Sequence, residues 1–169
     1  MQTRRFAVLA AIVATTAAMA APNLFAQTAQ TARDPVLGTW VLNLEKSKFE
    51  GIAAPGKRTM TFSAVGDAIK HVTSTLPAGV PGVVVAGANQ YTAKYGGPPV
   101  FIDGSFLDTV ELKQIDPRTV ERIGKVGGMA VETYTRVLSA DGKTLTVTTK
   151  GTNPTTMVDY SSVQVFERQ

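Results

Sequence analysis

The sequence predicts an all-β protein, an antiparallel up-and-down β-barrel of about 8–10 strands preceded by an N-terminal signal peptide. Three observations lead to this expectation. Short runs rich in Val, Thr and Tyr alternate apolar and polar residues from residue 36 onward. Gly, Pro, Asn and Asp separate these runs, which is typical of strands joined by tight turns. No stretch after residue 26 has the periodicity of an amphipathic helix.

The first 26 residues are expected to direct export and to lie outside the fold. Arg4 and Arg5 precede an apolar run over residues 6–13, and small residues follow it. This is the order of a secretory signal, and the apolar run is too short to span a bilayer. We place cleavage after Ala26, with cleavage after Ala20 as the alternative. A Sec signal is favoured over a twin-arginine signal, because the arginine pair lacks the usual spacer before the apolar residue.

Composition and charge limit the classes of function. Removing residues 1–26 leaves 143 of the 169 residues and lowers the formal net charge from +4 to +2. No basic run with interleaved aromatic residues remains, so a nucleic acid is not expected as a partner. The chain has no cysteine and a single histidine, which excludes disulfides, thiolate metal sites and His-rich metal sites.

The predicted organisation is one soluble domain in the periplasm or outside the cell. Residues 27–35 are expected to be a flexible leader, and residues 36–169 to form the barrel domain. No transmembrane segment is expected once the signal is removed, since no second hydrophobic stretch follows it. We expect the mature protein to be a monomer.

The strands are predicted from alternation along the chain. The first strand places Val36, Gly38, Trp40 and Leu42 on one face. A turn is expected over residues 46–49, and Asp141-Gly142 is a strong hairpin signal. The strands are expected near residues 36–44, 58–62, 67–75, 88–95, 107–115, 118–125, 129–139, 143–150 and 157–168.

One apolar segment interrupts the pattern. Residues 76–87 carry no charge and are rich in Gly and Pro. We interpret the segment as an extended hairpin or part of a strand that packs on its neighbours. The alternative is a flexible flap over the mouth of a barrel, where ligands usually enter.

Both ends of the barrel region carry a recognisable pattern. Leu37-Gly38-Thr39-Trp40 opens it, and Val163 to Gln169 closes it with Arg168 near the end. The pattern resembles the calycin superfamily of lipocalins and fatty-acid-binding proteins, and especially the small exported lipocalin-like proteins of bacteria. The resemblance implies a lipocalin-like barrel in which Gly38 allows a tight bend, Trp40 plugs the closed end and Arg168 covers the indole.

The same resemblance implies a lipophilic or amphipathic ligand inside the barrel. Many fatty-acid binders carry Arg-x-Tyr on the last strand to hold a carboxylate, and Gln164 and Phe166 stand there in this chain. A neutral or weakly polar ligand is therefore expected, unless another cation substitutes. Alternation along the strands predicts a ligand-binding wall of Met60, Phe62, Tyr91, Tyr134, Gln164 and Phe166.

Two arginines are candidates for the substitute cation. Arg122 and Arg136 share the alternation of apolar neighbours and could face inward. We expect them on the solvated outer face instead, because arginine is seldom buried without a partner.

Catalysis is not expected. His71 is the only imidazole, and no nucleophile-elbow sequence or carboxylate pair accompanies it. We therefore predict a non-enzymatic carrier or sequestering protein without catalytic residues, metal or cofactor. Two alternatives stay open. One is an envelope interaction module with a solid barrel core, and the other is an isomerase- or cyclase-type enzyme that acts on a lipophilic substrate.

Overall fold

The alternating runs of the sequence form β-strands joined by short turns. The structure, a computed structural model, describes residues 34–79 and 87–169. Within these residues there are ten strands and no helix, which confirms the all-β prediction. The strands are β1 (Gly38–Glu50), β2 (Lys57–Val65), β3 (Ala68–Leu76), β4 (Gly87–Ala93), β5 (Val100–Phe101), β6 (Thr109–Asp116), β7 (Thr119–Val126), β8 (Met129–Leu138), β9 (Thr144–Thr152) and β10 (Asp159–Arg168).

Antiparallel pairing curls the sheet into a nearly closed barrel. The strand order is β4-β3-β2-β1-β10-β9-β8-β7-β6-β5, so sequence neighbours pair and β1 also pairs with β10. The two remaining edges, β4 and β5, approach each other through a pair of backbone hydrogen bonds between Gln90 and Asp103, 2.9 and 3.0 Å long. Closure leaves little free strand edge, which is why a barrel of short strands is stable.

A glycine allows the two edges to meet. Gly104 follows β5 with φ of 70°, a conformation that residues with a side chain rarely adopt. A Cβ built on Gly104 would lie 1.9 Å from the carbonyl oxygen of Ala88 in β4. Strand β5 itself has only two residues, which is too short for alternation to show, and it was not among the predicted strands.

Strand β1 is longer than predicted. The turn expected over residues 46–49 is wrong, since β1 continues to Glu50 with an irregularity in its pairing to β10 between Asn43 and Lys48. Ser47 explains the bulge: its hydroxyl donates to the Asn43 carbonyl (2.6 Å) and accepts from the Val165 amide (3.0 Å). The side chain thereby satisfies backbone groups that the bulge would leave unpaired.

The interior at the start of β1 is packed with apolar side chains. Trp40 is fully buried, and its indole Nε1 donates to the Val36 carbonyl at 2.8 Å. The Arg168 guanidinium lies 4.2 Å from the indole ring centre and also donates to the carbonyls of Gly142, Leu37 and Pro35. A Cβ on Gly38 would lie 3.0 Å from Arg168, so a larger residue there would crowd the guanidinium. We call this the closed end of the barrel.

Two sequence expectations fall largely outside the described residues. Residues 80–86 of the apolar segment are not described, and neither are residues 1–33, which include the expected signal. The last residues of the expected leader are described and are bound to the barrel: Asp34 accepts hydrogen bonds from the Val36 amide and from the Tyr95 hydroxyl. Among the described residues there is no helix of the length and apolarity needed to span a membrane.

Candidate ligand-binding cavity

A cavity of about 380 Å³ opens at the end of the barrel opposite Trp40. Its outer part is lined by residues that follow β1 (Gly51 and Ile52) and by residues between β9 and β10 (Asn153, Thr156 and Val158). Ligand sites in proteins have volumes of about 300–1,000 Å³. The barrel is therefore not filled with side chains at this end.

The deeper wall comes from inward-facing positions on several strands. Met60, Tyr134 and Gln164, three of the six predicted wall residues, line the cavity. The other three are buried but lie outside its lining. Phe62 and Phe166 belong to the apolar cluster around Trp40, and Tyr91 belongs to a second cluster with Leu112 and Val120.

The cavity has a polar wall and an apolar wall. Arg58 of β2, Thr149 of β9, and Ser162 and Gln164 of β10 form the polar part. Ile102, Phe106 and Leu107, all in the segment between β5 and β6, form the apolar part, and the Arg122–Glu132 pair and Tyr160 also line the cavity. In the circular strand order β10 and β5 are five strands apart, so Ser162 and Gln164 lie across the barrel from the apolar part, whereas Arg58 on β2 is three strands from β5.

The alternation that found Met60 and Gln164 could also have found three of the polar residues. Arg58 has the parity of Met60, Ser162 that of Gln164, and Thr149 that of the buried Val147. These polar residues are not among the predicted wall residues. Ile102 and Phe106 lie beside a short strand and in the loop after it, and no periodic signal marks them; Leu107 stands at the start of the strand predicted near residues 107–115.

Arg122 is inside the barrel, so the expectation that it faces solvent is wrong. Its guanidinium forms a buried ion pair with Glu132 and lies 4.3 Å from the centre of the Tyr134 ring. Glu132 also accepts a hydrogen bond from the Tyr160 hydroxyl at 2.7 Å. Glu132, on the adjacent strand β8, supplies the negative charge that makes burial of Arg122 possible. It lies on a different strand from Arg122, so alternation along β7 alone does not reveal the pair.

Arg136 is also inside, and its outward placement is likewise wrong. It donates to the Tyr95 hydroxyl, which in turn donates to Asp34, and its guanidinium lies 4.7 Å from the Phe62 ring centre. Arg122 thus pairs directly with Glu132, and Arg136 is linked to Asp34 through the Tyr95 hydroxyl. Neither is a free cation for a ligand.

Arg58 differs from the other two internal arginines. Its Nη1 donates to Gln164 Oε1 at 2.6 Å, and its Nε donates to Thr75 Oγ1 at 3.1 Å. Gln164 is itself oriented by a 2.9 Å hydrogen bond from its amide nitrogen to the Ser162 hydroxyl. No acidic side chain pairs with Arg58 within the described parts of the chain, and burial lowers the pKa of this guanidinium. Arg58 therefore brings an uncompensated positive charge to the cavity wall.

His71 is buried at the deep side of the cavity and is uncharged. Its ring stacks on Phe62 (centroids 4.6 Å apart) and meets Tyr91 edge-on (5.0 Å), while Nε2 lies 3.0 Å from the Thr73 hydroxyl. Burial, together with the positive charges of Arg122 and Arg136, holds the pKa of His71 well below 6.5. No carboxylate contacts the ring, so the structure contains no base–acid relay around it within the described residues.

The neutral state of His71 predicts a pH dependence of stability. The unfolded chain binds a proton at His71 below pH 6.5, whereas the folded chain does not. The free energy of unfolding should therefore fall by about 1.4 kcal/mol per pH unit below that value. Urea denaturation between pH 7 and 5 measures this slope. His71→Phe keeps the ring stacking and should lose the slope, and an unchanged slope in this variant would contradict the assignment.

The strands form a nearly closed, antiparallel up-and-down β-barrel with an internal cavity. Comparison with solved structures finds other proteins of this fold. The fold is similar to a fatty acid binding protein of Schistosoma mansoni in complex with arachidonic acid, with a TM-score of 0.53 and 13% sequence identity, over 82% of this chain and 98% of that one. It is also similar to the zebrafish ileal bile acid-binding protein complexed with cholic acid, with a TM-score of 0.51 and 9% identity, over 80% of this chain and 99% of that one.

The sequence comparisons are negative. No protein-family model matches the chain, and no curated protein matches it. At 9–13% identity the structural likeness establishes the fold and not the ligand.

Proposed function

We propose that the protein binds a small amphipathic molecule with an acidic group inside the barrel, as a carrier or a sequestering protein. The observation that carries this proposal is the cavity of about 380 Å³, which is lined both by Arg58, a guanidinium without an acidic partner in the described residues, and by the apolar side chains of Ile102, Phe106 and Leu107. The apolar body of the ligand packs on Met60, Ile102 and Leu107, and each Å² removed from water contributes about 25 cal/mol. The acidic group pairs with Arg58, which Gln164 and Thr75 orient.

The last strand alone predicts a neutral or weakly polar ligand, whereas the charge of Arg58 favours a ligand with an acidic group. Gln164 cannot bind a carboxylate as an arginine would, but it holds the guanidinium of Arg58 at 2.6 Å. An acidic group that pairs with this guanidinium gains a charge-assisted hydrogen bond in a partly desolvated setting. The ligands in the two similar structures, arachidonic acid and cholic acid, are acids with large apolar bodies and agree with this chemistry.

Decanoate and decanol test the proposal, because they differ in charge but hardly in apolar surface. We expect the wild-type protein to bind decanoate about tenfold more tightly than decanol, and Arg58→Gln to remove most of that preference. Isothermal titration calorimetry measures both affinities at neutral pH. Lys57→Gln is the matched control, since Lys57 is exposed on the same strand and its substitution removes the same charge outside the cavity. A preference for decanol, or a loss in Lys57→Gln equal to that in Arg58→Gln, would contradict the role of Arg58.

Export to the periplasm or the medium is part of the same proposal. The basic start, the apolar run over 6–13 and the small residues before Ala26 support it. Intact mass spectrometry of protein recovered from its native host should give a chain that begins at Gln27, or at Ala21 if the alternative site is used. A chain that retains residues 1–20 in the cytoplasmic fraction would contradict export. A small molecule that co-purifies would identify the ligand in the same spectrum.

A further inference from the structure

Four buried polar atoms inside the barrel have no hydrogen-bond partner among the residues that the structure describes. They are Nδ1 of His71, Oδ1 of Asn89, the hydroxyl of Tyr91 and Nε of Arg122. Such atoms are uncommon in proteins, because burial removes their hydrogen bonds to water and puts nothing in their place. The presence of four in one barrel therefore requires an explanation.

The four atoms belong to side chains that lie close together. His71 of β3 and Tyr91 of β4 are cross-strand partners, and their ring centres are 5.0 Å apart. Asn89 is two residues from Tyr91, so it shares the same face of β4, and it lies opposite Thr73. The Arg122 guanidinium approaches from β7, 5.9 Å from the centre of the Tyr91 ring. We call His71, Asn89, Tyr91 and Arg122 the deep polar cluster.

The deep polar cluster is at the inner limit of the cavity. His71, Asn89 and Arg122 line the cavity, and Tyr91 packs edge-on against His71. In the pairing of β2 with β3, His71 lies opposite Phe62, which belongs to the apolar cluster of the closed end. A ligand that fills the cavity therefore brings its innermost part to these polar atoms.

Arg58 is a separate polar site, nearer the opening of the cavity. It lies opposite Thr75 in β3, and its Nε donates to the Thr75 hydroxyl at 3.1 Å. Thr75 is two residues from Thr73, the partner of Asn89, and four residues from His71. Since a strand rises about 3.3 Å per residue, the deep polar cluster lies about 7–13 Å further along β3 than Thr75.

The deep polar cluster offers both donors and acceptors of hydrogen bonds. Arg122 Nε only donates, Asn89 Oδ1 only accepts, and the hydroxyl of Tyr91 does both. The charge of Arg122 is already balanced by Glu132. A second carboxylate does not suit this environment, because it has no proton to donate to Asn89 and meets no free positive charge. A neutral group that donates and accepts, such as a hydroxyl group, suits it well.

We propose that the deep polar cluster is a subsite for a hydroxyl group, so that the ligand of the barrel is a hydroxylated amphipathic acid. The inference rests on the proposed function, because the acidic group of the same ligand pairs with Arg58 nearer the opening. The ligand hydroxyl accepts a hydrogen bond from Arg122 and donates one to Asn89. The apolar chain between the two polar ends packs on the apolar lining of the cavity.

Decanoate and 10-hydroxydecanoate test the proposal, because they share the acidic group and the chain length and differ by a hydroxyl at the far end of the chain. We expect the wild-type protein to bind 10-hydroxydecanoate about fivefold more tightly than decanoate, the gain of a typical hydrogen bond. Asn89→Leu should reverse this preference, because the hydroxyl group is then buried without its acceptor. Isothermal titration calorimetry at neutral pH measures the affinity of each protein for each ligand.

Two further variants control for charge-neutral surface changes and for folding. Gln90→Leu is the matched control, since Gln90 is exposed on the same strand and its substitution removes an amide outside the cavity. This control should keep the fivefold preference. Tyr91→Phe removes only the hydroxyl of a buried ring, and that hydroxyl has no partner in the described chain. We expect Tyr91→Phe to melt no lower than the wild type and to bind 10-hydroxydecanoate with a preference at least twofold smaller.

Three results would overturn the inference. A wild-type protein that binds 10-hydroxydecanoate no more tightly than decanoate would show that the deep polar cluster is solvated by water only. A preference retained by both Asn89→Leu and Tyr91→Phe, or lost equally in Gln90→Leu, would place the hydroxyl group elsewhere. In both cases decanoate still binds and the proposed function stands. If the wild type binds neither acid, the hydroxyl subsite and the proposed function fail together.

Discussion

Trp40→Ala is expected to lower the free energy of unfolding by about 3–5 kcal/mol, the range observed when a large buried aromatic side chain is truncated. The indole is fully buried at the closed end and packs in a cluster with Phe62, Leu145 and Phe166. The substitution leaves a cavity and removes the hydrogen bond from the indole to the Val36 carbonyl. It also removes the ring on which the Arg168 guanidinium lies, while Arg168 keeps its three backbone carbonyl partners.

Urea denaturation followed by far-ultraviolet circular dichroism is the suitable measurement, because Trp40 is the only tryptophan and its fluorescence is lost in the variant. Val65→Ala is the control, since Val65 is an exposed apolar residue in β2. This control should change the free energy of unfolding by no more than about 0.5 kcal/mol. A Trp40→Ala variant as stable as the control would show that the indole does not support the closed end.

Glu132→Leu is expected to cost about 3–5 kcal/mol of folding free energy, because it leaves the buried guanidinium of Arg122 without its carboxylate. Both side chains of this ion pair are only 8% exposed, so water solvates the unpaired guanidinium poorly. The Tyr160 hydroxyl loses its acceptor in the same variant. The double variant Arg122→Met/Glu132→Leu removes both charges, and we expect it to regain most of the lost stability.

A thermodynamic cycle over the wild type, the two single variants and the double variant measures this coupling. The exposed pair between Lys46 and Glu167, at 2.9 Å, is the comparison. Substituting Glu167 should cost far less than substituting Glu132, because solvent screens that pair. If the double variant is as unstable as Glu132→Leu, the charges do not act as a pair and the interior is stabilised in another way.

Much of the fold could be predicted because the signals for it are local. Alternation in residues 58–62, and the Asp141-Gly142 turn, depend on neighbours in sequence. The structure confirms the resulting antiparallel barrel, with β2 over Lys57–Val65 and Gly142 at φ of 69°. The bulge in β1 was missed because it depends on Ser47 reaching the Val165 amide, which is 118 residues away along the chain.

The interior of the cavity was less predictable, and the arginines show why. Alternation allows Arg122 and Arg136 to face inward. Their side chains are nevertheless predicted on the outer face of the barrel, because arginine is seldom buried without a partner. The partners lie elsewhere in the chain: Glu132 is on β8, Tyr95 is between β4 and β5, and Asp34 precedes β1. Arg58 shares the parity of Met60, but its place at the cavity wall depends on its contact with Gln164 on β10, which alternation along β2 does not show.

The amino-acid sequence by itself determined the strand-and-turn architecture, the apolar face of each strand and the presence of an indole and a guanidinium at opposite termini of the barrel region. These properties follow from periodicity and turn chemistry, which act over a few residues. Only the tertiary structure decided which charges are paired inside the barrel, which are free to face a ligand, and where the cavity opens. Those outcomes depend on strand closure, which brings Arg58 and Gln164 together across 106 residues of chain, and no local pattern records such a contact.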